Sequence, residues 1–153
     1  MLSLNKQNLN MKKLLTFAAF FLCLQSLAFA QNLSPVGTWT NQEKEARFEI
    51  YKCGDKLCGK ITWLKEPNRD GKPKTDVNNP DKKLQSQPVI GLVFLKGFEY
   101  DDNNKWDDGT IYDPKSGKTY SSYMQMLSKD KIEVKGYIGI SMIGRSQIWN
   151  RVN

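Results

Sequence analysis

From residue 31 onward no helix-length amphipathic run occurs. Apolar side chains recur at every second position instead, which is the period of a half-buried β-strand. In EARFEIYKC, Ala46, Phe48 and Ile50 alternate with Arg47, Glu49 and Tyr51. CGKITWLK sets Ile61 and Trp63 against Lys60, Thr62 and Leu64, and KTYSSYMQML sets Tyr120, Ser122, Met124 and Met126 against Thr119, Ser121, Tyr123, Gln125 and Leu127. KIEVKGYI sets Ile132, Val134, Gly136 and Ile138 against Glu133, Lys135 and Tyr137; SQIWNRV sets Ile148 and Val152 against Trp149 and Arg151. PVIGLVFLKGF is apolar on both faces and predicts a strand covered on both sides. With VGTWTN and GTIYD, eight strands are predicted, most of them joined by short turn sequences such as CGDKLC, DPKSGK and SKDK. Eight such strands predict an all-β fold, a single small up-and-down antiparallel barrel, because closure removes exposed sheet edges. A two-sheet sandwich is the competing architecture.

Two stretches interrupt the pattern. Residues 66–87, EPNRDGKPKTDVNNPDKKLQSQ, are charged, rich in turn formers and almost without an apolar anchor; a connection this long in a compact domain is usually functional or mobile. YDDNNKWDDG, residues 100–109, is predicted as a second polar loop containing Trp106.

The first thirty residues follow a different logic. Lys12 and Lys13 precede the apolar run Leu14–Leu27, and Ala28-Phe29-Ala30 is an A-x-A cleavage site. That order is a secretory signal peptide, cleaved after Ala30, with Met11 the better start and Cys23 discarded with the signal. The run falls short of the roughly 20 residues of a membrane span, and no second apolar segment approaches that length. The expected mature chain, residues 31–153, is one domain, placed in the periplasm or outside the cell. Removing Lys6, Lys12 and Lys13 from the 23 basic residues leaves 20 against 16 acidic ones, a net charge of +4 with the signs interspersed. A nucleic-acid binder would show a concentrated basic stripe, so no nucleic-acid partner is expected.

The chain contains no histidine. This removes Ser-His and Cys-His dyads together with the commonest general base and metal ligand, and no catalytic residue, metal or cofactor is assigned. Cys53 and Cys58 are a C-x₄-C pair between strands. Thioredoxin-like chemistry wants C-x-x-C at a helix N-terminus, and two cysteines alone are a poor zinc site. A disulfide across a hairpin fits both the spacing and an oxidising compartment. The cluster DDNNKWDDG lacks calcium-loop spacing and reads as a solvated acidic hairpin. Asp76 and Asp113 are the best general-acid candidates, but both stand beside turn formers, where Asp often caps its own backbone.

The ends of the predicted barrel carry aromatic and basic residues. Trp39 in GTW opens the first strand; Trp149 and Arg151 in WNR close the last. First and last strands are neighbours in a closed barrel, so Arg151 or Arg145 is expected to stack on Trp39 as a cation–π lid. Such a G-x-W opening resembles that of lipocalin and avidin-like barrels. Phe48, Ile61, Trp63, Tyr112, Tyr120, Met124 and Met126 are the candidate pocket, although a stripe of this kind also builds a plain core.

A wider set of segments runs in order: GTW, IYKCGDKLCGKI, Asp76-x-x-Asn79-Pro80, Gly91-Leu92, Trp106 to Tyr120 (W-x-x-G-x-IYDP-x-x-GKTY), and Gly136 to Arg151 (GYIG…GRSQIWNR). Together they resemble the bacterial secreted family catalogued as domain of unknown function 2147, over essentially all of Val36–Arg151. The resemblance implies export and a lipocalin-like barrel, and it lends no catalytic residues. Its motif positions here, Trp39, Asn79, Trp106, Tyr112, Asp113, Pro114, Tyr120, Arg145 and Trp149, are candidate fold or pocket positions. The expected role is binding of a small hydrophobic molecule. The alternative is an envelope structural or protein-interaction module with a filled barrel. A hydrolase using Asp76 and Asp113 would need both carboxylates within reach of one cleft.

Overall fold

The computed structural model describes residues 33–152. The proposed signal peptide and Cys23 lie outside those residues. Ten strands follow in chain order: β1 (Gly37–Asn41), β2 (Ala46–Cys53), β3 (Lys56–Leu64), β4 (Asn68–Arg69), β5 (Lys72–Pro73), β6 (Val93–Tyr100), β7 (Lys105–Asp113), β8 (Lys118–Ser128), β9 (Lys131–Tyr137) and β10 (Gly144–Arg151). Eight of them close an antiparallel barrel in the order β1-β10-β9-β8-β7-β6-β3-β2, with β2 returning to β1; β4 and β5 form a separate small hairpin. Among the described residues no helix is long and apolar enough to cross a membrane.

Alternation places one face of each strand in a common interior. Trp39, Phe48, Ile50, Leu57, Ile61, Phe94, Leu95, Phe98, Trp106, Met124, Met126, Ile132, Val134 and Trp149 form a single buried cluster. Phe48 stacks at 4.4 Å on Trp149 and at 5.2 Å on Phe94, so aromatic rings from three strands fill the bore. Glycines make room for two further interior side chains, Leu95 and Phe98. A Cβ on Gly59 would stand 2.8 Å from Leu95 Cδ1, and one on Gly109 would stand 2.5 Å from Phe98 Cε1.

Bulges explain where simple alternation misplaces residues. The register of β7 against β8 shifts between Trp106 and Gly109, and Asp108 takes a left-handed φ of 58°. That extra residue lets two aspartates sit inside a strand. The expected loop over 100–109 is therefore only the turn 101–104, and Trp106 belongs to the core. On β6, Gly97 (φ 81°) and a second shift opposite Gly59 and Lys60 bring Phe94, Leu95 and Phe98 all to buried positions, while Lys96 stays exposed. The stretch expected to be covered on both sides is thus a bulged strand beginning at Val93. A third shift, between Arg47 and Phe48, pairs Arg47 with Trp63. Ile61 remains buried, but Trp63 is 39% exposed, with the Arg47 guanidinium 5.2 Å above its ring.

The lower end of the barrel carries the β2–β3, β6–β7 and β8–β9 turns. Cys53 and Cys58 are joined there by a disulfide across the β2–β3 hairpin. Residues 33–36 strap this end, and Arg151 holds the strap. Its Nη2 donates to Ser34 O at 2.7 Å, its Nη1 to Val36 O at 3.0 Å, and its Nε to Lys129 O at 2.7 Å. The same guanidinium lies 4.2 Å from the Trp39 ring centroid, while Trp39 Nε1 donates to Pro35 O at 2.7 Å. Gly37 must lack a side chain here: a Cβ would stand 2.5 Å from Arg151 Nη1, and its φ of 140° suits glycine. Arg145 takes no part. It pairs with Gly136 toward the upper end, because β10 runs the length of the barrel and its two arginines lie six residues apart.

Candidate functional site

The connection from β3 to β6 crosses the upper end, and a few polar side chains fix it. Its backbone closes on itself through Asp76 N to Gln87 O (2.9 Å) and Val89 N to Lys74 O (2.9 Å), with an isolated bridge between Thr75 and Pro88. It returns to β3 through Gly91 N to Ile61 O (2.7 Å) and Ile61 N to Leu92 O (3.0 Å). Within it lie β4–β5 and a short 3₁₀ turn, Lys82–Leu84, capped by the Asp81 side chain accepting from Lys83 N.

Asp76 anchors the segment to the barrel. It is fully buried, Oδ1 accepting from Tyr112 Oη at 2.8 Å and Oδ2 from Asn79 Nδ2 at 2.7 Å. Tyr112 reaches it from the outer wall. Ile111 faces inward, 3.0 Å from where a Gly136 Cβ would stand, so its neighbour Tyr112 must face out. Burial pushes the Tyr112 phenol up to about 12, the hydrogen bond to Asp76 acting in the same direction. Asn78 supplies a second tie, donating to Lys115 O at 2.9 Å in the β7–β8 turn.

Between this segment and the outer wall of β6, β7 and β8 lies an open cleft of about 600 Å³. Leu84, Ile90 and Leu92 line the segment side. Lys96, Thr110, Tyr112 and Thr119 line the wall, and Asn79 stands at the Asp76 end. The cleft is an apolar slot with one ammonium, three hydroxyls (that of Tyr112 committed to Asp76) and the amides of Asn79 and Gln87 at its margins. No ion pair of Lys96 occurs among the described residues.

The seven candidate pocket residues do not converge on one cavity. Phe48, Ile61, Met124 and Met126 are packed in the core, Trp63 is at the exposed upper rim, and Tyr120 is half-buried. Only Tyr112 lines the cleft. Inward alternation groups the others correctly as a face, but the aromatic rings fill the volume a ligand would need. The residues that shape the cleft on the segment side went unrecognised as a group. The D-x-x-N-P spacing was their visible trace, since it sets Asn79 one turn from Asp76 to donate into its carboxyl group.

The two aspartates weighed as acids do structural work. Asp113 accepts from Lys115 N at 2.9 Å and Ser116 Oγ at 2.7 Å, closing the β7–β8 turn. In the acidic β6–β7 region, the Lys105 amine pairs with Asp107 and lies 3.6 Å from Asp101.

Comparison with known proteins places the chain. The model of the family described as "Uncharacterized protein conserved in bacteria (DUF2147)" matches residues 37–151, and the chain belongs to that family. No curated protein matches it. Among solved structures it is similar to one described as "Protein HP1028 from the human pathogen Helicobacter pylori belongs to the lipocalin family". The TM-score is 0.70 at 22% identity, over 79% of this chain and 84% of that one. At that identity the likeness is one of fold, and the closed eight-stranded barrel is lipocalin-like.

Proposed function

We propose that this chain is an exported barrel protein that binds a small, largely apolar ligand in the periplasm or outside the cell. The ligand sits in the cleft between the β3–β6 segment and the outer wall of β6–β8. One observation carries the reading: a slot of about 600 Å³, apolar along Leu84, Ile90 and Leu92, is held open by a fully buried Asp76 tied to the wall through Tyr112. Ligand sites are concave, mostly apolar, and oriented by a few placed polar groups. Lys96 and Thr110 at the margin would orient a molecule with an apolar body and a polar or acidic end.

Native mass spectrometry of the purified chain tests this. The expected result is an adduct retained by the wild type and lost in Ile90→Arg, whose side chain would occupy the slot without touching the core. No adduct from native host extract, or one retained equally by Ile90→Arg, would remove the cleft as the site. The filled interior supports a second reading, an envelope interaction module using residues 66–87 on a protein partner. A pull-down that loses its partner when those residues are shortened would favour it.

A further inference from the structure

The β9–β10 turn is unlike the other turns of the barrel. In YIGISMIGR, residues 137–145, Ile138 is 73% exposed, Ile140 61%, Met142 85% and Ile143 69%. Four large apolar side chains in water within one short turn require an explanation, because soluble surfaces rarely gather them. The arm also stands clear of its neighbours. β10 pairs with β1 only over Trp149–Arg151, so Gly144–Gln147 are exposed beyond that contact. On the other side, β9 leaves β8 at the pair Tyr137–Ser121, so the turn rises past Lys118–Tyr120.

The charge next to the tip, on β10 itself and on the β8 side, is cationic, while the β1–β2 turn farther along β10 carries Glu43 and Glu45 with Lys44. Arg145 follows the turn directly, and Lys118 and Lys115 lie on the adjoining β7–β8 hairpin. No acidic residue occurs between Val134 and the chain's end. The acid at the turn end of the adjoining hairpin, Asp113, is committed to its own turn through Lys115 N and Ser116 Oγ, while Asp107 and Asp108 lie at the lower end of β7. An apolar tip with a cationic collar matches the interface of an anionic bilayer, where apolar side chains enter the acyl boundary and lysine or arginine meets lipid headgroups.

A second copy of the chain fits less well. A two-fold contact would set Arg145 and the lysines against their own copies. A single turn also falls far short of the roughly 20–30 residues a side of a stable protein interface. We propose that the β9–β10 turn docks the barrel, upper end down, on an anionic lipid surface, with Ile138, Ile140, Met142 and Ile143 inserted and Arg145, Lys115 and Lys118 at headgroup level. The proposal stands whether or not the outer-wall cleft binds a ligand.

Vesicle sedimentation tests it, using the purified chain with phosphatidylglycerol–phosphatidylcholine vesicles and with pure phosphatidylcholine vesicles. Binding is expected to the anionic vesicles, weakening as salt rises. Ile140→Ser with Met142→Ser should weaken it at least tenfold, since each buried aliphatic side chain contributes about a tenfold or greater factor. Arg145→Glu with Lys118→Glu should weaken it while making binding insensitive to salt. All four positions are exposed, so unchanged circular dichroism and melting would certify the variants as folded. Failure of the wild type to sediment with anionic vesicles would overturn the proposal, as would equal binding by the serine variant. A concentration-dependent dimer that the serine variant abolishes, without vesicle binding, would assign the turn to a second copy instead.

Discussion

Removing the Asp76 carboxyl group should release the β3–β6 segment while leaving the barrel folded. Asp76 is fully buried and accepts two side-chain hydrogen bonds, at 2.8 Å from Tyr112 and 2.7 Å from Asn79. Hydrogen bonds to a charged group contribute about 1.5–3 kcal/mol each. Two bonds to one group are not additive, so Asp76→Ala should cost about 2–4 kcal/mol, expressed locally. The backbone bonds Asp76 N–Gln87 O and Val89 N–Lys74 O then lose their lock. Their amides should exchange about 30- to 700-fold faster, at tenfold per 1.4 kcal/mol, while those of β8 and β9 hold their protection. The phenol adds a pH signature. Its pKa is about 12 in the fold against an ordinary 10.0. The stabilisation is therefore complete below pH 10 and is lost as pH rises from 10 toward 12. The segment should loosen over that window in the wild type, and Tyr112→Phe should remove the pH dependence. Hydrogen exchange resolved by residue measures both effects. Equal loss of protection in segment and barrel would refute the reasoning, since the segment would then be part of one cooperative unit. Unchanged exchange would refute it from the other side.

Four further outcomes follow from the barrel itself. Arg151→Ala strips three carbonyls of their donor and uncovers Trp39, and should lower stability by about 2 kcal/mol in urea melts. Arg145→Ala should stay within about 0.5 kcal/mol. Cys53→Ser with Cys58→Ser opens a five-residue separation, for which loop-closure entropy gives about 2 kcal/mol; the midpoint should fall with the circular dichroism spectrum unchanged. Gly109→Ala presses a methyl group into the Phe98 ring, which is fully buried and has nowhere to turn. A loss of about 1–3 kcal/mol by calorimetry is expected, and a neutral result would mean that the ring can move.

The eight-stranded barrel was legible in the sequence because a two-residue period survives wherever a strand is regular. Met124, Met126, Ile132 and Val134 lie on β8 and β9, whose register holds until Met126, and all four are buried as alternation requires. Trp63 and Trp106 were misplaced for the opposite reason. Each stands next to a bulge, and one extra residue inverts the faces beyond it. No composition rule shows that Asp107 and Asp108 occupy a strand rather than a loop; the signal was Trp106 itself, a large apolar residue between apparent loop residues. The cleft was illegible for another reason. Its two sides come from residues 79–92 and from the outer faces of β6–β8, and alternation assigns those outer faces to solvent.

The packed interior bears on where the proposed ligand would sit. Eight strands leave a bore just wide enough for side chains or one small ligand. Here Phe48, Phe94 and Trp149 spend that width on each other, with Trp39 closing the lower end under Arg151. An interior ligand would have to displace stacked rings, each worth about 0.5–1.5 kcal/mol beyond its buried area. The outer wall demands no such displacement, because Asp76 and Asn78 already hold the segment over β6–β8. On the proposed reading, ligand specificity would reside in the β3–β6 segment. Exchanging residues 79–92 between family members should exchange their ligands, whereas exchanging interior residues such as Met124 should change stability alone.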